Sequence, residues 1–576
     1  MKYILALPHS YLFIINIRGV KTLRIYVAKP GESLIAIAKK YSIEPMELIL
    51  LNPHIPLPDY GIGGQSIYLP SQPAVEPDTY REIPYCPPSE VQPLHEWIPL
   101  TPLDQMAQTE YDVLIVGTGA GGGAVLWRLC EKWKNSGLKI GVVEAGGLVL
   151  PSHVNGIPTL GSVRKEQFIQ GHKLPYPAIE DPAEFPLAKQ VLALGGKTIL
   201  WGLVSPRFPS SAFAAWPVSY EEMNPYYNLA EQMMEVSSDF YDDSTAQQLL
   251  FKRLQENGFP NVIPYPYAVY TKSSKYGKIF SNPFFSSMTF FAYALNLRSF
   301  DVAINARCVR IHADKNIVTG VTVKDPALRA YHIKAKKVVM TTSTLENPRL
   351  LLYSGIPGRA IGHYLTDHSF INGIGKISRK EFTEIPGNVG LLAPASEREP
   401  FQIQMGGGSI VSMYQQYENI PEQDDLTMSI LGFGEVEPRY ENKVVIDPAR
   451  RDRYGVPFIK IDFSYSERDY EVISRMAASL KRFAAAAGVA LQSEPGKSDI
   501  CAFQPGGSIH EAGTCRMGND PSTSVTNRFG QVHGISGLYV ADNSVLPTVS
   551  GTNPTLTIVA LAIRTADYIA WQQNNE

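Results

Sequence analysis

An apolar run that ends in spaced glycines leaves a chain few choices of fold. Tyr111-Asp-Val-Leu-Ile-Val116 reads as a buried strand and passes straight into Gly117-Thr-Gly119-Ala-Gly-Gly122. The three glycines of a G-x-G-x-x-G spacing have separate tasks. Gly117 permits the tight turn, Gly119 lets a pyrophosphate approach the backbone, and Gly122 lets the following helix pack on the strand. That helix, predicted over roughly Gly122 to Lys132, would aim free N–H groups and a positive dipole end at the phosphates. A second apolar strand, Ile140-Gly-Val-Val143, stops at Glu144, 22 positions beyond Gly122. An acid at that distance accepts hydrogen bonds from a ribose 2'-hydroxyl, which favours an unphosphorylated adenosine over NADP. The fingerprint alone does not separate FAD from NAD.

The separation comes from the far C-terminal segment, because an isoalloxazine must be gripped at a second place. Gln504-Pro-Gly-Gly-Ser-Ile-His510-Glu-Ala-Gly513 sets a histidine among glycines, and Gly537-Leu-Tyr-Val-Ala-Asp542-Asn543 reads as a strand ending on two polar residues. Oxidising an alcohol requires the O–H proton to leave as the C–H hydride departs, and a group with a pKa near neutrality is its natural acceptor. His510 is that candidate base, since Gly506, Gly507 and Gly513 let a ligand or cofactor come close to the backbone. Asn553 precedes Pro554 at the start of an apolar helix. It is a candidate N-cap whose amide can also point at a substrate oxygen. The helix start would support negative charge near the flavin pyrimidine ring.

These segments resemble the glucose-methanol-choline (GMC) flavin oxidoreductases over about residues 110 to 570. The resemblance rests on G117-T-G-A-G-G122 with E144-A-G-G, L194-G-G-K-T-I-L-W-G202, I361-G-H-Y-L-T-D-H368 and the two C-terminal pieces. It implies FAD, hydride transfer to flavin N5, His510 as base and Asn553 as its partner. Asp542, with Asn543 and Thr555 beside it, would hold the phosphate or ribityl region. Gly195 and Gly196 would form the loop over the flavin, and the backbone near Val309 would meet the adenine. Trp201 and Arg207 follow the pattern of sugar-oxidising members. Leu200 stands where some of those carry the histidine that bonds covalently to flavin, so noncovalent, dissociable FAD is expected. Asp367-His368 reads as a structural hydrogen-bonded pair outside the active site.

Upstream, Ile25-Tyr-Val-Ala-Lys-Pro-Gly31-Glu-Ser-Leu34, two helix-like stretches, Asn52-Pro53 and Ile67-Tyr-Leu-Pro70 follow the order strand, helix, helix, strand. The stretch resembles a LysM module, with one residue more than usual before Gly31. Such modules generally bind N-acetylglucosamine-containing glycans, here along residues 31–34 and 54–60. The alternative is a docking or oligomerisation piece. The apolar start Met1-Lys-Tyr-Ile-Leu-Ala-Leu7 is broken by Pro8 and lacks a small-residue cleavage site. With no twin-arginine signal either, the cytoplasm is favoured, while the module leaves an extracellular or cell-wall location possible.

The expected fold class is α/β. A discontinuous Rossmann-like FAD-binding domain is drawn from 110–208, 298–370 and 503–576. A substrate-binding domain with an antiparallel sheet is drawn from 209–297 and 371–502, where aromatics such as Tyr265, Tyr267, Phe284 and Phe285 read as core, with stacking on sugar rings as the alternative. The small βααβ module at 23–70 and a proline-rich linker at 71–109 precede them. At 576 residues, 44% hydrophobic and 19% charged, the chain can bury a large core. A net charge of -3 without basic clusters argues against a nucleic-acid partner. Five cysteines without a C-x-x-C pair point to neither a disulfide framework nor a metal site. No apolar stretch reaches the roughly eighteen residues of a membrane span. The expected reaction is FAD-dependent oxidation of a CH–OH group on a small alcohol, a sugar or glycoside, with oxygen or a quinone as final acceptor. A non-redox lyase on the same fold, and a glycan-binding protein with an inactive flavin domain, are the rival readings.

Overall fold

The computed structural model describes residues 23–70, 99–149, 184–269, 284–382, 387–408, 424–493 and 498–575, with short strands at Pro175–Pro177, Lys272–Ser274 and Gly277–Ile279. The apolar amino-terminal run and the proline-rich stretch up to residue 98 lie outside the described residues. The chain divides into two units between Val91 and Gln92.

In the smaller unit, strand Leu23–Val27 pairs antiparallel with Ser66–Pro70, Leu23 opposite Pro70 and Val27 opposite Ser66. Helices Leu34–Lys40 and Pro45–Leu51 lie between them in sequence. The first starts where the Ser33 hydroxyl accepts the Ala36 N–H at 3.2 Å, and the second where Pro45 supplies a preset φ. Leu34, Ile37, Leu48 and Ile67 are fully buried between strands and helices. Asn52 is buried as well, and it is satisfied. Its amide donates to the carbonyls of Leu48 and Tyr68, both at 2.8 Å, and accepts the Tyr68 N–H at 2.6 Å. One side chain thus ties the second helix to the closing strand.

The larger unit holds two seven-stranded sheets. The first runs Asp301–Ala303, Ile140–Val143, Glu110–Val116, Ala330–Met340, Ile317–Lys324, Arg307–Asp314, with Leu538–Val540 added on Ala330–Met340. Ile140–Val143 is buried throughout and Glu110–Val116 after its first residue, as strands covered on both faces must be. Ala330–Met340 does double duty. Its first half pairs antiparallel with Ile317–Lys324, while its end pairs in parallel with Glu110–Val116 on one side and Leu538–Val540 on the other. The carboxyl ends Val116, Val143, Met340 and Val540 therefore emerge along one edge. Helices Ala120–Lys132 and Thr555–Asn575 pack on each other and are pinned by Arg128, whose Nε donates to Asp567 at 2.6 Å.

The second sheet centres on the antiparallel strands Ser369–Ser378, Asp425–Gly434, Phe401–Gly408 and Asn388–Ala393. Helix Glu467–Ala487 covers one face. Ser466 and Asp469 form a capping box at its start, and Gly488 ends it with φ 75°. Ile371, Ile403, Met405 and Ile430 meet Met476, Leu480 and Phe483 in this second core. Leu103–Ala107, at the end of the stretch read as linker, is a helix with Met106 fully buried. Burial of such a side chain contributes about 1.5–3 kcal/mol, enough to recruit a short segment that a proline count would leave extended.

The tightest helix contact is at Gly121, where a Cβ would stand 1.8 Å from the carbonyl oxygen of Ala541. Gly121→Ala is expected to lower the melting temperature by several degrees. Gly137→Ala, whose Cβ would meet nothing within 4 Å, should leave it unchanged in the same thermal denaturation series.

Candidate active site

A cavity of about 760 Å³ opens at the carboxyl edge of the first sheet and reaches the uncovered face of the second. This is where open sheets with parallel strands place ligands. Gly117, Gly119, Glu144, Gly196, Asp542, Asn543, Asn553, Thr555 and His510 all line it. Gly117 turns with φ 101°, and a Cβ there would lie 2.5 Å from the Thr341 carbonyl oxygen; at Gly119, just before the helix, a Cβ would meet nothing within 4 Å. Gly122 and Gly195 stand behind the wall instead. A Cβ on Gly122 would be 2.2 Å from the Gly117 carbonyl oxygen, so its task is packing. The Gly195 N–H donates to Thr118 Oγ1 at 2.9 Å, clamping the second glycine loop onto the first.

Glu144 is held at the end of its strand by Thr118, whose N–H and hydroxyl donate to one carboxylate oxygen at 3.1 and 2.6 Å, and by the Gly146 N–H, which donates to the other at 2.8 Å. Burial raises its pKa against these donors. Asp542 is similarly engaged: the Ser343 N–H, the Asn347 amide, and the Ser544 N–H and hydroxyl all donate to its carboxylate. It therefore joins the strand end to residues 343–347 as well as facing the cavity. Val309 does not reach the cavity. Arg307 and Cys308 do, and the strand shifts register just after them, leaving Val309 unpaired between Cys308 and Arg310.

At the other end, the Asn553 carbonyl oxygen accepts from the side-chain amides of Gln402 at 2.7 Å and Gln404 at 2.6 Å. That oxygen is thus directed into the second sheet rather than capping the helix, and the Asn553 amide N–H groups are left for the cavity. The sequence reading missed both glutamines; the signal that could have found them is Phe401-Gln402-Ile403-Gln404-Met405, where the apolar residues enter the core and the amides take the opposite face.

Asp367 and His368 do not line the cavity; they stand directly behind it. They are buried against the loop that carries His510 rather than paired off elsewhere. Asp367 Oδ1 accepts the His510 N–H at 3.1 Å and the Ser508 hydroxyl. Between those two anchors sits Ile509 with φ 61°, a left-handed conformation that is costly for a β-branched residue and persists only where its surroundings impose it. His368 Nδ1 lies 2.9 Å from His510 Nδ1. Lys197 donates to Glu511 at 2.5 Å, just beyond the histidine. Burial, with the Glu511 charge adding to it, raises the pKa of Asp367. Burial, then the neighbouring His368 and Lys197, hold His510 well below the ordinary imidazole range.

Parallel strand ends, a glycine cradle and an imidazole thus face one cavity, the arrangement of an α/β protein built to take a nucleotide ligand. Residues 111–370 and 438–562 match the two family models for GMC oxidoreductases, and the chain belongs to that family. It is 28% identical over 408 residues to a C-glycoside 3-oxidase of Arthrobacter globiformis, covering 67% of this chain and 75% of that one. It is 24% identical over 530 residues to paromamine 6'-oxidase of Streptomyces fradiae, covering 80% and 91%. Among solved structures, pyridoxine 4-oxidase from Mesorbium loti superposes with TM-score 0.58 at 18% identity, covering 81% of this chain and 99% of that one. A formate oxidase of Aspergillus oryzae, studied for FAD modification, gives TM-score 0.60 at 16% identity with the same coverage. The chain is thus an oxidoreductase whose relatives include oxidases of sugars and glycosides, and the family implies FAD. No helix among the described residues is long and apolar enough to cross a membrane. No cluster of metal-ligating side chains occurs among them either.

The residues present fit that cofactor. Gly119 leaves open space in front of a helix N-terminus, and Asn543 Oδ1 is buried on the cavity wall without a hydrogen-bond partner of its own. Because the His510 pKa is depressed, its ring stays neutral from physiological pH down through the usual histidine range. Histidine NMR of labelled protein should show one resonance, absent in His510→Ala, that does not titrate between about pH 7.5 and 5.5.

Proposed function

We propose that the chain is an FAD-dependent enzyme that oxidises a CH–OH group on a sugar or glycoside, with His510 as base. The observation that carries this reading is that the His510 ring and the Asn553 amide line the same cavity as the Gly117–Gly121 turn. FAD, when bound, supplies the hydride acceptor; Gly117, Gly119, Glu144, Gly196 and Asn543 are the residues that would hold it. Leu200, on the cavity wall, offers no atom for a covalent link to flavin, which supports dissociable FAD.

On this reading Asn553 orients the substrate. Its carbonyl oxygen is occupied by Gln402 and Gln404, so only its N–H groups remain to donate to the substrate oxygen. A donor at that oxygen stabilises the negative charge that grows there as the proton leaves. His510 takes that proton. A base held neutral by burial needs no prior deprotonation, and the apolar walls of Leu431, Phe370 and Phe433 keep the transfer away from water. Sugar or glycoside specificity is supported by the relatives' substrates. Oxygen or a quinone remains the proposed final acceptor. The smaller unit is proposed as a LysM-like module for N-acetylglucosamine-containing glycans.

His510→Ala should leave a yellow holoprotein and slow anaerobic flavin reduction by about a hundredfold to ten-thousandfold, measured by stopped flow with a panel of monosaccharides and glycosides. A wild-type rate removes His510 from the chemistry, and failure of every sugar to bleach the flavin band removes the substrate class. Binding to insoluble chitin or peptidoglycan is expected to disappear when residues 1 to 75 are deleted; binding that survives the deletion assigns the glycan site elsewhere.

A further inference from the structure

The two buried histidines form a chain of hydrogen bonds whose polarity is set at its far end. His368 Nε2 faces the Ser550 carbonyl oxygen at 2.8 Å and the Val549 carbonyl oxygen at 3.4 Å. Carbonyl oxygens only accept, so Nε2 carries the hydrogen and donates. Burial pushes the His368 pKa down to about 4, so the ring is neutral and its other nitrogen, Nδ1, is bare. That bare nitrogen lies 2.9 Å from His510 Nδ1, which must therefore donate to it. A neutral His510 with its hydrogen on Nδ1 has its lone pair on Nε2. The reverse arrangement would set a bare His368 Nε2 against two carbonyl oxygens in a buried place, leaving acceptors facing acceptors.

We infer that His368 is a positioning residue: reading its orientation from the Ser550 carbonyl, it fixes the tautomer of His510 so that Nε2 is the basic nitrogen presented to substrate. This rests on the proposal that His510 is the base. When the substrate O–H bond breaks and an N–H bond forms at Nε2, the ring gains a positive charge while its Nδ1–H is already bonded to a neutral acceptor. No further proton has to move in that step.

Several features hold the chain in place. Ser550 has φ 50°, and a Cβ on the following Gly551 would come 2.5 Å from Phe401 Cα, so backbone packing aims the carbonyl. Phe433 packs against both rings, with centroids 5.5 Å from His510 and 5.9 Å from His368. The charged groups around the pair leave the ring nitrogens alone. Lys197 donates to Glu511, and Asp367 takes the His510 backbone N–H.

The test compares His368→Leu, which removes the acceptor, with His368→Asn, whose side-chain oxygen can stand where Nδ1 stood. In holoprotein labelled with 15N-histidine, two-bond proton–nitrogen spectra should show wild-type His510, identified by its absence in His510→Ala, protonated on Nδ1 and bare on Nε2. His368→Leu should mix the two tautomers and slow anaerobic flavin reduction by about tenfold to a hundredfold, the usual worth of a residue that orients a functional histidine. His368→Asn should recover most of that rate. A wild-type spectrum with the proton on Nε2 overturns the inference even if neither variant folds. So does a folded His368→Leu protein with the wild-type rate and tautomer. Either result leaves the base assignment standing, whereas a wild-type rate in His510→Ala removes the base assignment itself.

Discussion

Everything in the larger unit depends on the strand Ala330–Met340. Its last residues pair in parallel on both edges, with Glu110–Val116 and with Leu538–Val540. Parallel partners that are distant in sequence cost loop-closure entropy before any contact repays it. Two buried, largely apolar strand partners and a pair of packed helices repay it here. The result is a single edge at which the glycine turn, Thr341 and Asp542 meet.

The second sheet contributes chemistry of another kind. One of its faces is oil, packed under helix Glu467–Ala487; the opposite face carries Gln402 and Gln404 with Phe370, Leu431 and Phe433. Buried amides and imidazoles are expensive unless their hydrogen bonds are made. The structure joins them in sets, two glutamines on one asparagine oxygen and two histidines ending on a backbone carbonyl, and leaves Gln402 Oε1 buried without a partner. Sets of this kind restrict orientation, because turning one member breaks the bond that its neighbour relies on.

How much of this could be read from the sequence follows from how local each signal is. The glycine turn, the following helix and the acid at Glu144 sit within one strand–helix–strand unit, so their spacing carries the information. His510 and Asn553 stood out because glycines and a proline flank them. His368 and the glutamines did not, since their partners lie 142 to 151 positions away and nothing in their own neighbourhoods names those partners. The alternation in Phe401–Met405 was the available clue, a polar residue at every second place on a strand with no solvent face. Val309 lies off the cavity that its neighbours Arg307 and Cys308 line, and the register shift beside it leaves little trace in composition. Leu103–Ala107 lies where Met106, with Leu100 and Leu103, packs on the core among prolines.

The pinning of Arg128 by Asp567, 439 positions apart, also has a bearing on biosynthesis. A nascent polypeptide leaves the ribosome from its amino end, and domains ordinarily fold as they emerge. Here the cavity lacks Asp542 and Asn553 until synthesis has run far beyond the glycine turn. Until Leu538–Val540 has been made, the half-built sheet exposes an unpaired apolar edge at Val338–Met340, the kind of surface that chaperones shelter.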